Sequence, residues 1–455
     1  MPQFYAKSPG NEGYIKNMEV IGVHDLDRHY AFQSQLYRTE EGRYYLYLGC
    51  YQGTGVEILE VTDPAHPRAV QYFHCENPEK HPYMSTPKIQ IADELMIVSL
   101  GNCIEFLHGK PPESYEKVEG GIKIYSLRDP ENPEFLSFWS TGTGNPDDMG
   151  VHRFTYNGGR YLHLTACAPG FVNFIYRIVD IADPRNPVEV GRWWLPGQFL
   201  GNQTKATQER DIQGWSEGST YPGLVHHVYA TENKAYLSCG GAGFKILDIS
   251  DATRPQLIGE IAMHPPFARK FGGALCHTFM PVAGTNYAIG MQEGERFWIA
   301  SDELLEQIGV EEFRGIEMFD ISDPTDPVMI SIFPYPEVPE NWPYQNFNYC
   351  GLKHPGPFGP HNLHEPMSNK PWLENNPNRA YDCYFHAGLR VYDISDPYVP
   401  KEIAYFIPPN PEKLCYEVEM ANAPLGTTED LVVDDRGYIY VNAMHDGLYI
   451  LKCLV

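Results

Sequence analysis

The chain lacks the motifs that most often announce a chemistry. It has no P-loop and no G-x-G-x-x-G set between a strand and a helix, so nucleotide binding has no local support. Basic charge is scarce: 34 Lys and Arg stand against 59 Asp and Glu, a net charge of −25. A nucleic-acid backbone needs a basic footprint, and an anionic membrane surface needs one too, so neither is an expected partner. No apolar run is long enough to cross a bilayer. The opening residues, MPQFYAKSPGNEGYIKN, contain no apolar signal core. Ten cysteines are spread singly with no C-x-x-C pair, which fits reduced thiols in a cytoplasmic protein rather than a disulfide framework.

What is plentiful is punctuation. Glycine (41), proline (39) and tyrosine (31) suit many short strands joined by turns. A phrase recurs along the chain: an apolar strand, then Asp-Ile-Ser-Asp-Pro-x-x-Pro, then another apolar strand. Its clear copies are IVDIADPRNPVEVGRW, ILDISDATRPQLIGEI, MFDISDPTDPVMISIF and VYDISDPYVPKEIAYF, preceded by ILEVTDPAHPRAVQYF and IYSLRDPENPEFLSFW. The aligned aspartates are Asp63, Asp129, Asp183, Asp251, Asp323 and Asp396. Each can bond its own backbone two residues on. The first Pro presets a turn, and the second opens the next strand where a missing N–H costs least. Two further β segments precede each phrase, such as LVHHVYAT and KAYLSCGG, so each repeat reads as four strands, one blade of a propeller.

A last, truncated copy supplies TTEDLVVDD, GYIYVNAMHDG and LYILKCLV. Its missing outer strand is expected from NMEVIGVHDL near the N-terminus, which closes the ring and removes an open edge. The expected fold is all-β: one seven-bladed β-propeller over residues 1–455, with four-stranded blades. The turns after the inner strands are short. The loops at the other face are long, at about 195–223, 292–315, 334–360 and 408–428, and rich in aromatics. The repeated phrases resemble the LVIVD-repeat family, whose members are expected to be β-propellers. The resemblance covers nearly the whole chain and implies no particular activity.

Aligning the starts of the inner strands (GVHRF, LVHHV, LCHTF, GPHNL) brings His152, His226, His277 and His361 to one equivalent position in four consecutive repeats. Glu429 takes that position in the last repeat, Gln35 in the first, and Thr86 or Pro87 in the second. Four imidazoles converging on the axis suit a transition metal, with Fe or Cu favoured and Zn or Mn possible, and not Ca or Mg. The competing reading is a set of axial histidines bonded to water and to one another.

Strict alternation turns His227 into the sheet packing, and His364 faces the axis only if the strand is irregular, so both are possible ligands. Glu429, His445, His386 and Glu293 are candidate acid, base or supporting groups. His163, in mid-strand, reads as packing. So do Cys50, Cys167 and Cys239 near the ends of second strands.

The architecture is similar to that of carotenoid-cleaving oxygenases and of selenium-binding protein, a methanethiol oxidase, although the sequence motifs of neither appear. The expected function is a metal-dependent oxidoreductase acting on a small apolar or aromatic substrate. The alternatives are a metal-dependent lyase or hydrolase, and a non-catalytic binding propeller.

Overall fold

A computed structural model describes residues 13–51, 55–77, 79, 84–85, 88–102, 119–143, 149–201, 224–262, 275–293, 315–343, 346–347, 358–415 and 426–455. Thr86 and Pro87, and most of the four long loops, lie outside them. Among the described residues the only helix is a single 3₁₀ turn, Leu26–Arg28, and everything else regular is antiparallel strand.

The strands form six sheets. Four consist of four consecutive strands each, beginning at Ala31–Arg38, Val151–Thr155, His227–Ala230 and Leu275–Pro281. The five-stranded sheet holds Ile89–Ala92, Leu95–Asn102, Gly121–Ser126 and Glu134–Ser140, with Met84–Ser85 added. The nine-stranded sheet contains two such runs. One begins at Phe358–Leu363 and the other at Thr428–Val433, and a single bridge, Phe385 to Thr428, joins them. The innermost strand of each run packs on the next run, and Thr428–Val433 packs back on Ala31–Arg38, which closes a ring about an axis. Met18–His24 pairs antiparallel with Gly447–Cys453 as the expected closing strand.

The recurring Asp-Pro phrase is the turn between third and outer strands. In all six copies the aspartate Oδ1 accepts the backbone N–H two residues on, at 2.9–3.0 Å: Asp63 from Ala65, Asp129 from Glu131, Asp183 from Arg185, Asp251 from Thr253, Asp323 from Thr325 and Asp396 from Tyr398. The turn also docks on the neighbouring sheet. Each outer strand carries a β-bulge, and the residue beside it receives the next turn. Ser137 Oγ donates to Pro184 O and Ser331 Oγ to Pro397 O, both at 2.6 Å, and Gln71 Nε2 donates to Glu131 O at 2.5 Å. At Gly22, Gly191 and Gly259 the carbonyls of Pro64, Ala252 and Pro324 fill the space where a Cβ would be. The seams between sheets are apolar, as with Ile178, Val228 and Leu237.

The face carrying the turns after the inner strands is not open. The segment 364–378, between Phe358–Leu363 and Arg379–Phe385, crosses it. Trp372 Nε1 donates to Leu36 O (2.6 Å), Asn369 Nδ2 to Asp93 Oδ1 (3.1 Å), and Asn157 Nδ2 to Ser368 Oγ (2.9 Å). The Tyr229 hydroxyl bonds Pro366 O, and Glu374 N donates to Val433 O (3.0 Å). This plug has buried Met367, Lys370, Trp372 and Leu373, and five of the other runs hold it. Short turns do not describe this face in the run that begins at Phe358.

Candidate metal centre

Each candidate ligand sits where the inner strand breaks register. The irregularities fall between Val151 and Arg153, Cys276 and Thr278, Phe358 and Asn362, and Thr428 and Asp430, so His152, His277, His361 and Glu429 occupy or adjoin bulges. His226 immediately precedes its strand. A bulge adds a residue and re-aims the side chain beside it, which lets two successive residues face the axis. Directly below the imidazoles lies a second polar layer. Lys88 N, Arg153 N and His227 N each donate to a second-strand hydroxyl, Ser99 Oγ (3.3 Å), Thr165 Oγ1 (3.0 Å) and Ser238 Oγ (3.2 Å), and so stand at one level.

Four imidazoles converge. Ring centroids are 4.4 Å apart from His152 to His226, 4.3 Å from His226 to His277 and 4.8 Å from His277 to His361. Their outward nitrogens are committed. His226 Nδ1 donates to His277 O (3.0 Å), and His361 Nδ1 donates to Glu429 O (3.1 Å). Arg153 Nη2 donates to His277 Nε2 (3.1 Å), so His277 carries its proton on Nδ1, 2.8 Å from Thr278 Oγ1. Asn362 Nδ2 also stands 2.9 Å from His361 Nδ1. The Nε2 atoms of His152 and His226 lie 2.7 Å apart, and Glu293 Oε1 lies 3.2 Å from His361 Nε2 and 3.8 Å from His277 Nε2. His226, His277 and Glu293 each offer a ligand atom, all within 4.8 Å of one another.

Burial holds His152, His226 and His277 well below the ordinary histidine range. Lys88 is the next cause for His152, His152 for His226 and His226 for His277. Neutral imidazoles oriented through Nδ1–H are what a metal requires of them.

The other candidates lie apart from this group or beside it. Glu429 Oε1 is 3.5 Å from His361 Nδ1, on the outer side of that ring. His227 does not enter the packing between sheets: its Nε2 meets Glu365 Oε1 of the plug at 2.9 Å. His364 has both nitrogens engaged by backbone, Nε2 with Glu374 O (2.8 Å) and Nδ1 with Val433 N (3.3 Å). His386 Nε2 donates to Phe347 O (2.8 Å), and His445 Nδ1 lies 3.3 Å from Cys415 Sγ. Gln35 is three residues below the ligand level and accepts from Lys370 Nζ (3.1 Å); Phe32 holds the level assigned to it, 5.7 Å from the His361 ring. Counting missed Lys88 and Arg153, whose signal was their place directly after the aligned position.

Sheets of four antiparallel strands closed around an axis define a β-propeller. The chain carries the LVIVD repeat, with residues 222–262 matching that family. A search of curated proteins gives no match. Among solved structures, the chain is similar to Raptor from Chaetomium thermophilum, with a TM-score of 0.54, 10% identity, 97% of this chain covered and 29% of that one. It thus spans less than a third of Raptor's length. It is also similar to the periplasmic gluconolactonase of Pseudomonas aeruginosa, with a TM-score of 0.51, 12% identity, and 90% and 94% of the two chains covered. At such identities the likeness is one of fold. No helix among the described residues is long and apolar enough to cross a membrane.

Proposed function

We propose that the protein is a seven-bladed propeller, the nine-stranded sheet counting as two blades, and that it is a metal-dependent enzyme with its centre at one mouth of the axis. The observation that carries this reading is the inward convergence of imidazole Nε2 atoms on Glu293. His361 Nε2 and a Glu293 carboxylate oxygen lie 3.2 Å apart, within reach of a shared cation. His152, His226, His277 and His361 would hold the ion, with Glu293 as a further ligand or proton acceptor. A largely imidazole set suits Fe or Cu, hence an oxidoreductase acting on a small molecule. With Zn or Mn the same site suits a lyase or hydrolase. A bound ion supplies an open coordination position that polarises a ligand.

The test is elemental analysis of protein purified without added metal, repeated after titration. Near one equivalent of a transition metal is expected, falling below a tenth in His277→Ala while the circular dichroism stays unchanged. Wild-type protein that holds none and takes up none refutes the reading and leaves a binding scaffold.

A further inference from the structure

Beneath the imidazoles lie two buried basic side chains, Lys88 and Arg153; burial, and then Arg153 beside it, hold the Lys88 amine well below the ordinary lysine range. Lys88 is 5% exposed and Arg153 2%. They occupy the same level of adjacent inner strands, since each backbone N–H donates to the hydroxyl of its own second strand. Two cations side by side in a desolvated place repel, and each needs acceptors. Neither is fully supplied. The Lys88 ammonium lies 3.3 Å from the centre of the Phe32 ring, and among the described residues no acceptor reaches its Nζ. Arg153 spends Nη2 on Asn362 Oδ1 and His277, but its Nε, although buried, bonds nothing.

The acids in the neighbourhood are otherwise engaged. Asp430 Oδ2 accepts Ser34 N at 2.7 Å, and burial pushes this carboxyl up to about 7. Glu293 lies against His361 and His277, Glu429 against the outer side of His361, and Glu365 against His227. Buried basic donors with open hydrogen-bonding capacity, one of them against His277 Nε2, describe half of an anion site.

We propose that Lys88 and Arg153 form an oxyanion subsite under the metal centre, and that the molecule taken there is an organic acid whose carboxylate they hold. The inference rests on the axial reading above and narrows it. The substrate is not simply apolar: a carboxylate lies against Lys88 and Arg153, and its remaining atoms reach toward the imidazoles and the half-buried His152. The Phe174 ring stacks on His152 at 4.8 Å. A site of this kind favours small aromatic or unsaturated acids over neutral analogues of the same shape, because an uncharged amide leaves both cations uncompensated.

Calorimetry on the full chain tests this with benzoate, formate and the neutral benzamide as probes, before and after metal loading. Wild type is expected to bind benzoate more tightly than formate, and benzamide not measurably. Lys88→Met should weaken benzoate by about tenfold or more, the loss of one charge-assisted bond, with metal content and melting temperature unchanged. Lys88→Arg should retain most of the affinity. Equal benzoate affinity in folded Lys88→Met overturns the proposal, as does a wild type that binds no carboxylate at millimolar concentration. Formate binding as tightly as benzoate assigns the pocket to a free oxyanion and overturns the organic acid. The metal content separates the two readings. Lys88-dependent binding in a chain that takes no metal refutes only the metal centre, and metal uptake without carboxylate binding refutes only the subsite.

Discussion

Proton occupancy separates the histidines that converge on the axis from one that merely packs. His163 lies in mid-strand with Nδ1 2.7 Å from the Tyr176 hydroxyl, and burial alone holds it down at about 4. Its imidazole is neutral when folded and titrates near 6.5 when unfolded. A base with a depressed folded pKa contributes stability fully above the unfolded value and loses it as pH falls toward the folded one. His163→Phe should therefore flatten the dependence of stability on pH between about 6 and 4.5, by about 1.4 kcal/mol per unit. Urea denaturation at several pH values measures this, and an unchanged slope would mean that His163 is not the group titrating.

The four axial histidines were legible because they take one position when the inner-strand openings GVHRF, LVHHV, LCHTF and GPHNL are aligned. Their partners were not, because strict alternation fails at a bulge. His152 and Arg153 both face inward, as do His226 and His227, and no period of two assigns successive residues to one side. The same irregularity displaced Gln35 by three positions from Phe32.

At the scale of elements, the Asp-Pro phrase does two jobs, of which the sequence displayed one. Its turn chemistry could be read directly, and all six aspartates make the bond that their spacing requires. Its docking on the adjacent sheet could not, because the receiving residue belongs to the previous repeat and, Gln71 apart, is marked only by its small size. Gly22, Ser137, Gly191, Gly259 and Ser331 are small because the next turn approaches the backbone there.

Gly259→Ala should thus cost about 1–3 kcal/mol through overlap with Pro324 O, a rigid backbone atom with little room to yield. Ala404 holds the corresponding place in the nine-stranded sheet, where Asn17 Nδ2 closes the seam on Ile403 O at 2.7 Å. Ala404→Gly should cost only about 0.5–1 kcal/mol, the price of strand flexibility. Chemical denaturation of both variants compares them. Equal losses would mean that the seam tolerates a methyl, and that the glycines serve the bulge alone.

Over the whole molecule, the ring is closed by sequence-distant pieces at two places. The plug 364–378 joins five runs across one mouth, and within it Lys370 bonds Gln35 and Gln90 while burial brings its amine down to about 7. This leaves the opposite mouth as the approach to the histidines. The plug escaped sequence reading because HEPMSNKPWLENNPN has no repeat counterpart and its partners are scattered from Gln35 to Asp435.

The second closure, by Met18–His24, was legible because NMEVIGVHDL copies the outer-strand pattern, and its pairing with Gly447–Cys453 removes an edge that would otherwise present Leu448, Ile450 and Leu451 in an unfinished sheet. Deleting residues 1–24 should lower the melting temperature by about 10 °C or more and promote association through that edge, since an unpaired strand recruits another. A synthetic peptide covering residues 13–28 should bind the shortened chain and restore most of the lost stability, by the strand addition that the intact chain performs on itself. Calorimetric melting with and without the peptide decides the matter. A shortened chain that melts like the parent, or one that the peptide leaves unchanged, would show that the ring holds without its N-terminal strand.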